Sequence, residues 1–280
     1  MAAATGVVQG HQAADCHVHV FDPRYAYAPN PRYEPEPFVR GTAADFTAVL
    51  DAHGITHALL LAAEPYRDDN RPVLDAIAAS GGRFKGIALV GDPLPDEAAL
   101  RRLADAGIVG IRFNLAAGTA ILQAPGVPRL LAQMREMGWF LDLHTIGDDL
   151  AQALPHLPAE GPRLLIDHVA RPDVALGEDQ PGFQALLALA RTGAAVVKLC
   201  GGFRFSRTAF PHADTDAFVR RAIAAFGLSN CIWGSDWPFV NMPARMDYGP
   251  QLAMLARWLP DAADRRVVLW EAPARLFGFR

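Results

Sequence analysis

The sequence predicts a (β/α)8 barrel, the TIM-barrel architecture. Eight short apolar runs recur along the 280 residues, and each is followed by a stretch with helix signals. Eight strand–helix units in about 250 residues fit this fold, whereas a doubly wound open sheet usually needs fewer units. No GxGxxG follows the first run and no GxxxxGK[ST] occurs, so dinucleotide-binding and P-loop folds lose their main support.

The eight runs are mostly continuous in aliphatic residues rather than alternating, which is typical of strands buried on both faces. In chain order they cover residues 14–20, 57–62, 84–90, 109–113, 139–144, 163–168, 194–199 and 230–235. Because active sites of such barrels lie at the carboxyl ends of the strands, the polar residues that end these runs are the candidates for function.

Capping residues predict helices between the runs. Thr42 is a good N-cap for a helix over 43–53, and Asp96 for one over 97–106. The same signals predict helices over 69–80, 128–137, 181–191 and from Asp214 or Thr215 to 226. We expect residues 13–280 to form one barrel domain, preceded by a flexible tail over residues 1–12.

Charge and composition argue against nucleic acid and membrane as partners. The net charge of −4 provides no whole-chain basic field for a nucleic-acid backbone. No apolar run approaches about 18 residues and no signal peptide is recognisable, so neither a membrane span nor export is expected. Three distant cysteines without a CxxC spacing indicate buried thiols in a reducing cytoplasm. The sequence carries no signal of oligomeric state.

The first and last runs carry the strongest chemical signal. In the first, His17 and His19 are two residues apart, so they face the same side of a strand, with Asp15 one step below. Two adjacent imidazoles can share a metal ion or hold a substrate oxygen. Asp236 follows the eighth run, and an ionised aspartate at that position can take a proton from water as a general base.

Further polar residues follow the middle runs. They are Arg112 and Asn114 at the end of the fourth, His144 at the end of the fifth, His168 and Arg171 at the end of the sixth, and Arg204 after the seventh. Arginine forks bind carboxylates in a bidentate manner. Arginines repeated at strand ends therefore predict a small anionic substrate.

Three motifs in order, DxHxH, IDHxxRP and WGSDWP, resemble the amidohydrolase superfamily. The resemblance covers nearly the whole chain and is closest to the amidohydrolase-2 branch, which holds 2-pyrone-4,6-dicarboxylate lactonase and related lactone hydrolases. It implies a TIM barrel that hydrolyses a lactone. The family's catalytic positions correspond to His17, His19, His168 and Asp236, and its substrate-binding positions to Arg112, Arg171, Arg204 and Tyr33.

The chain also departs from the pyrone lactonase pattern. No arginine occurs over residues 115–120, and His144 stands where that pattern has tyrosine. The pyrone lactonase type is metal-independent, whereas most of the superfamily holds one or two divalent ions. His17, His19, His144 and Asp236 would suit one zinc ion with a position left for water. Both a single zinc ion and metal-independent catalysis therefore stay open.

The motifs and arginines predict hydrolysis of a lactone that bears an acidic group, such as a pyrone carboxylate, a muconolactone or a sugar-acid lactone. Asp236 would activate water, and histidines or one metal ion would polarise the carbonyl. A metal-dependent decarboxylase of an aromatic or unsaturated acid is the main alternative, because the same branch includes such enzymes. A barrel that binds an acid without catalysis is the third.

Overall fold

Eight parallel strands alternate with helices along the chain, which confirms the predicted (β/α)8 barrel class. The computed structural model describes residues 6–8, 10–39 and 41–280. Part of the predicted tail, residues 1–5 and 9, lies outside the described residues. Two compact units make up the chain: Met1–Val109 with Trp233–Arg280, and Gly110–Ile232.

The strands follow one another in the order β1 to β8. They are β1 Ala14–Val18, β2 His57–Leu61, β3 Phe84–Ala88, β4 Ile108–Asn114, β5 Phe140–His144, β6 Arg163–Ile166, β7 Ala195–Leu199 and β8 Cys231–Trp233. Nearly all their residues are buried, as their continuous apolar character predicts. All of these strands except β4 are shorter than the predicted runs. In β1 and β8 the residues beyond Val18 and Trp233 belong to the loops that carry His19 and Asp236.

The α-helices are α1 Ala43–His53, α2 Arg71–Ala79, α3 Glu97–Asp105, α4 Val127–Glu136, α5 Asp149–Ala153, α6 Pro181–Thr192, α7 Asp216–Phe226, α8 Tyr248–Trp258, α9 Ala262–Arg266 and α10 Ala272–Phe277. The predicted caps are confirmed: Thr42 forms a capping box with Asp45 at α1, and Asp96 caps α3. Helix α5 and the C-terminal helices α8 to α10 were not predicted. None of the helices in the described ranges has the length and apolarity that crossing a bilayer requires.

In the first unit, β1 pairs with β2 and β2 with β3. Asp15 lies opposite Ala58 and Val18 opposite Leu60, so β1 contains one extra residue between these pairs. Such a bulge re-aims side chains at the end of a strand. It falls immediately before or at His17, the first histidine of the pair.

In the second unit, β4 to β7 pair in sequence. Arg112 lies opposite Asp142, and Asn114 opposite His144, so the register places two predicted site residues side by side. After β6 the chain enters a turn in which four consecutive residues, His168 to Arg171, have φ between 47° and 62°. That left-handed turn carries His168 and Arg171.

Candidate active site

His17, His19 and Asp236 lie together in the first unit, as the sequence predicts. The Asp236 Oδ1 atom is 3.6 Å from His17 Nε2 and 4.0 Å from His19 Nε2. The two imidazole rings meet edge to face with centroids 5.2 Å apart. All three residues are buried, with His19 the most exposed at 8%. A carboxylate and two imidazoles therefore converge in a place largely shielded from water.

Backbone contacts hold this trio in position. The Asp236 N–H donates to the His17 carbonyl at 2.8 Å, and the His19 N–H donates to the Trp237 carbonyl at 2.9 Å. A Cβ atom on Gly234 would lie 2.5 Å from the His17 Cβ, so only glycine allows this approach of the chain to β1. Asp236 itself has φ 65°, a left-handed conformation that is uncommon for residues other than glycine.

The carboxylate of Asp15 connects the same two segments from below. Its Oδ1 accepts hydrogen bonds from the backbone N–H groups of Ser235 at 2.9 Å and His17 at 3.2 Å, and its Oδ2 accepts from the Tyr248 hydroxyl at 3.0 Å. Burial raises the pKa of Asp15 to about 6, although these hydrogen bonds partly oppose the shift. Sequence reasoning placed Asp15 below the histidines but missed Tyr248, which comes from α8.

The orientation of His19 is set by a main-chain acceptor. Its Nδ1 lies 3.0 Å from the Leu61 carbonyl oxygen. Since a carbonyl only accepts, Nδ1 carries the proton and donates, so Nε2 of the neutral ring keeps a lone pair. Metal-bound histidines are commonly oriented by such a bond from the second ring nitrogen.

The donor set of the trio fits one divalent cation. One nitrogen from His17, one from His19 and one carboxylate oxygen from Asp236 all lie within 4.8 Å of one another. Two imidazoles and one carboxylate are an established ligand set for zinc in catalytic sites, where the fourth position is left for water or substrate. The side chains of the trio therefore fit a single zinc ion, one of the two possibilities that the sequence leaves open.

In the second unit, four predicted site residues form a connected chain of contacts. The Asn114 Oδ1 lies 3.0 Å from His144 Nδ1, the His144 Nε2 lies 3.3 Å from Arg171 Nη1, and Arg171 Nη2 donates to the Arg204 carbonyl at 3.2 Å. Because guanidinium only donates, His144 Nε2 accepts from Arg171. In this geometry the His144 Nε2 lone pair is directed at Arg171. The role of His144 as a metal ligand stays a prediction.

His168 lies in the left-handed turn after β6, not at the end of the strand where the apolar run placed it. Strand β6 ends at Ile166, and both His168 and Val169 have φ above 50°. The predicted run over 163–168 therefore extends two residues past the end of the strand, over Asp167 and His168. The His168 ring meets the His144 ring edge to face at 5.9 Å, so the turn still brings these two predicted residues together.

Arg112 belongs to a buried cluster of four charges on β4, β5, β7 and the turn after β6. Its Nη2 is 2.8 Å from Asp167 Oδ2 and its Nε is 3.6 Å from Asp142 Oδ1. The Lys198 ammonium is 2.9 Å from Asp167 Oδ1 and also contacts Asp142. Burial lowers the pKa of Lys198, but attraction to Asp142 and Asp167 outweighs it and raises the pKa overall. The signal for this charge cluster is a charged residue within an apolar strand, as in FLDLH and VVKLC.

The two remaining predicted substrate contacts are Arg204 and Tyr33. The Arg204 guanidinium lies over the Phe203 ring at 4.9 Å, in a half-buried position. Tyr33 is partly buried in the loop after β1 and packs against a hydrophobic cluster formed by Phe21, Ala63, Tyr66 and Val240. Their contact with a substrate stays a prediction.

The sequence and the structure of this chain are similar to those of known proteins. The amidohydrolase family model matches residues 14–279. A 4-sulfomuconolactone hydrolase of Rhizobium radiobacter is 31% identical over 95% of this chain and 90% of its own length. A 2-pyrone-4,6-dicarboxylate hydrolase of Comamonas testosteroni is 27% identical over the same shares of the two chains. The crystal structure of a probable 2-pyrone-4,6-dicarboxylic acid hydrolase from Acinetobacter baumannii, with citric acid bound, superimposes with a TM-score of 0.86 at 29% identity, covering 95% of this chain and 99% of that one. The chain therefore belongs to the amidohydrolase family.

Proposed function

We propose that the protein is an enzyme that hydrolyses a lactone bearing at least one acidic group. The observation that carries the proposal is the buried trio of His17, His19 and Asp236, in which one carboxylate oxygen faces two imidazole nitrogens at 3.6 and 4.0 Å. The similarity to hydrolases of a sulfomuconolactone and a pyrone dicarboxylate supports a cyclic ester as the substrate. These two names also suggest the acidic substituent.

In the proposed mechanism, Asp236 takes a proton from a water molecule as the water oxygen attacks the lactone carbonyl carbon. The ring C–O bond then breaks, and the proton from Asp236 is transferred to the leaving oxygen. One lactone and one water therefore give one hydroxy acid. His17 and His19 lie 3.6 and 4.0 Å from the Asp236 carboxylate. We propose that an N–H donor from His168 stabilises the negative charge that develops on the carbonyl oxygen.

A zinc ion held by His17, His19 and Asp236 is compatible with this scheme. When bound, it would polarise the carbonyl and lower the pKa of water. Titration of the purified, chelator-treated protein with zinc should show one binding site, and His19→Gln should weaken that binding. Full activity in a sample shown by elemental analysis to be metal-free would instead favour the metal-independent form of the reaction.

For the acidic group of the substrate we propose Arg171 and Arg204 as the main partners. Both are half-buried, and the Arg171 guanidinium donates to the main-chain carbonyl of Arg204, so the two residues are neighbours in the second unit. Arg112 was predicted with them, but two carboxylates already lie beside its guanidinium. We therefore expect Arg204→Gln to raise KM for carboxylated lactones far more than for neutral lactones.

The test is a panel of pyrone, muconolactone and sugar lactones assayed by proton release, with carbon dioxide measured in parallel. Asp236→Asn should abolish turnover while substrate still binds. The matched control is Asp247→Asn, which removes an exposed carboxylate from the segment that follows the same strand. Turnover retained in Asp236→Asn would refute the assignment of the base, and carbon dioxide release would favour the decarboxylase.

A further inference from the structure

We infer that Cys200 is a positioning residue for His168, holding its ring in the tautomer that carries the proton on Nε2. The inference rests on the proposed function, because it gives His168 the N–H that the developing oxyanion requires. The carrying observation is a contact of 3.1 Å between Cys200 Sγ and His168 Nδ1. Both side chains are buried, with 3% of each residue exposed.

The direction of this hydrogen bond follows from the groups involved. A thiol sulfur is a weak acceptor, whereas the bare nitrogen of a neutral imidazole is a good one. The thiol hydrogen therefore points from Sγ to Nδ1, and the single ring proton resides on Nε2. The ring nitrogen remote from Cys200 then acts as a donor.

The backbone next to Cys200 packs closely against the His168 ring. Gly201 has φ 61°, and a Cβ atom there would lie 3.0 Å from both Cγ and Cε1 of His168 and closer still to Nδ1. Only a residue without a side chain lets the backbone pass so close to the imidazole. Cys200 and Gly201 together thus enclose the Nδ1 edge of the ring.

The charge cluster also joins the chain before Cys200 to the chain before His168. Lys198, two residues before Cys200, contacts Asp167, the residue before His168, at 2.9 Å. The Asp167–Lys198 and His168–Cys200 contacts therefore join β7 to the turn after β6 at two successive levels. This arrangement fixes the distance between the thiol and the ring.

The first experiment reads the tautomer directly and does not depend on any substrate. Nitrogen-15 NMR of histidine-labelled protein distinguishes protonated from bare ring nitrogens, and the His168 signals are identified by their loss in His168→Gln. We expect the Nε2–H tautomer in the native protein and in Cys200→Ser, which retains a donor. Cys200→Ala should show a mixture of tautomers.

The second experiment measures kinetics with 4-sulfomuconolactone and 2-pyrone-4,6-dicarboxylate. Loss of a residue that orients a metal-bound histidine typically lowers activity about 10- to 100-fold, and we take this range as the expectation for His168. We expect Cys200→Ala to lower kcat in this range with little change in KM, and Cys200→Ser to restore most of it. Cys231→Ala, which truncates another buried cysteine on β8, is the matched control and should stay near native activity.

A proton on Nδ1 in the native protein would overturn the inference, as would an unchanged tautomer in Cys200→Ala. Equal loss of kcat in the serine and alanine variants would also contradict it, because serine keeps the donor. If no lactone of the panel is hydrolysed, the proposed function fails, but the NMR measurement still decides whether Cys200 sets the tautomer.

Discussion

Replacing Lys198 with methionine should strongly destabilise the protein, because it leaves two buried carboxylates facing one guanidinium. In the native cluster Lys198 and Arg112 balance Asp142 and Asp167, and all four side chains are buried. Removing one partner of a buried ion pair costs about 3–5 kcal/mol, since the remaining charge is neither solvated nor paired. We expect a loss of this size in the free energy of unfolding of Lys198→Met.

The double variant Lys198→Met with Asp142→Leu separates the charge balance from simple loss of contacts. It retains the Arg112–Asp167 pair at 2.8 Å, so these side chains again sum to zero charge. Replacing a buried pair by apolar residues of similar size is often neutral for stability. The double variant should therefore be more stable than either single variant, with a coupling energy of about 3 kcal/mol or more in the double-mutant cycle.

The assay is urea unfolding at neutral pH, followed by tryptophan fluorescence and circular dichroism. Lys85→Met removes the other lysine of the chain, a half-buried residue on β3, and should change stability by less than about 1 kcal/mol. If the double variant instead loses the sum of the two single losses, the four charges act independently and the reasoning is refuted.

Three further changes test the first unit. Tyr248→Phe removes the hydroxyl that donates to Asp15, and should lower the free energy of unfolding by about 1.5–3 kcal/mol in urea titrations. Gly234→Ala should reduce both kcat and zinc affinity, because its Cβ would displace His17; unchanged zinc titration would count against this. Burial lowers the pKa of His57, so the stability contributed by its neutral ring is complete above pH 6.5 and is lost as the pH falls below that value. Unfolding measured across that range should therefore show a smaller acid-induced loss in His57→Gln.

The features that could be predicted from the sequence are those with a local pattern of residue types. Buried parallel strands read as continuous apolar runs, so all eight were located. The two-residue spacing of His17 and His19 predicted that both imidazoles face one side, and both lie beside Asp236, although β1 ends at Val18 and His19 follows it. Asp236 was found because it follows an apolar run and precedes a proline. Thr42 and Asp96 were found as caps, since capping depends on residues three positions away.

Contacts between residues distant in the chain were not predictable in this way. The Tyr248 hydroxyl donates to a carboxylate 233 positions earlier, and no spacing in the sequence records that. Arg112 and Arg171 both lie near the ends of apolar runs and look equivalent in the sequence. Their surroundings differ because Arg112 pairs across the sheet with Asp142, whereas Arg171 contacts His144 and the Arg204 carbonyl.

The left-handed turn after β6 explains why the positions of His168 and Arg171 could not be predicted from the sequence. Each residue other than glycine costs about 1–2 kcal/mol in this conformation, so His168 to Arg171 together cost about 4–8 kcal/mol, comparable with the whole stability of many domains. Such a turn persists only if its surroundings hold it. The Cys200 contact to His168 and the bonds from Arg171 to His144 and the Arg204 carbonyl supply part of that support. The residues proposed to polarise and bind the substrate are thus also those that keep the strained backbone in place, so replacing Arg171 alters the framework as well as the substrate's binding partner.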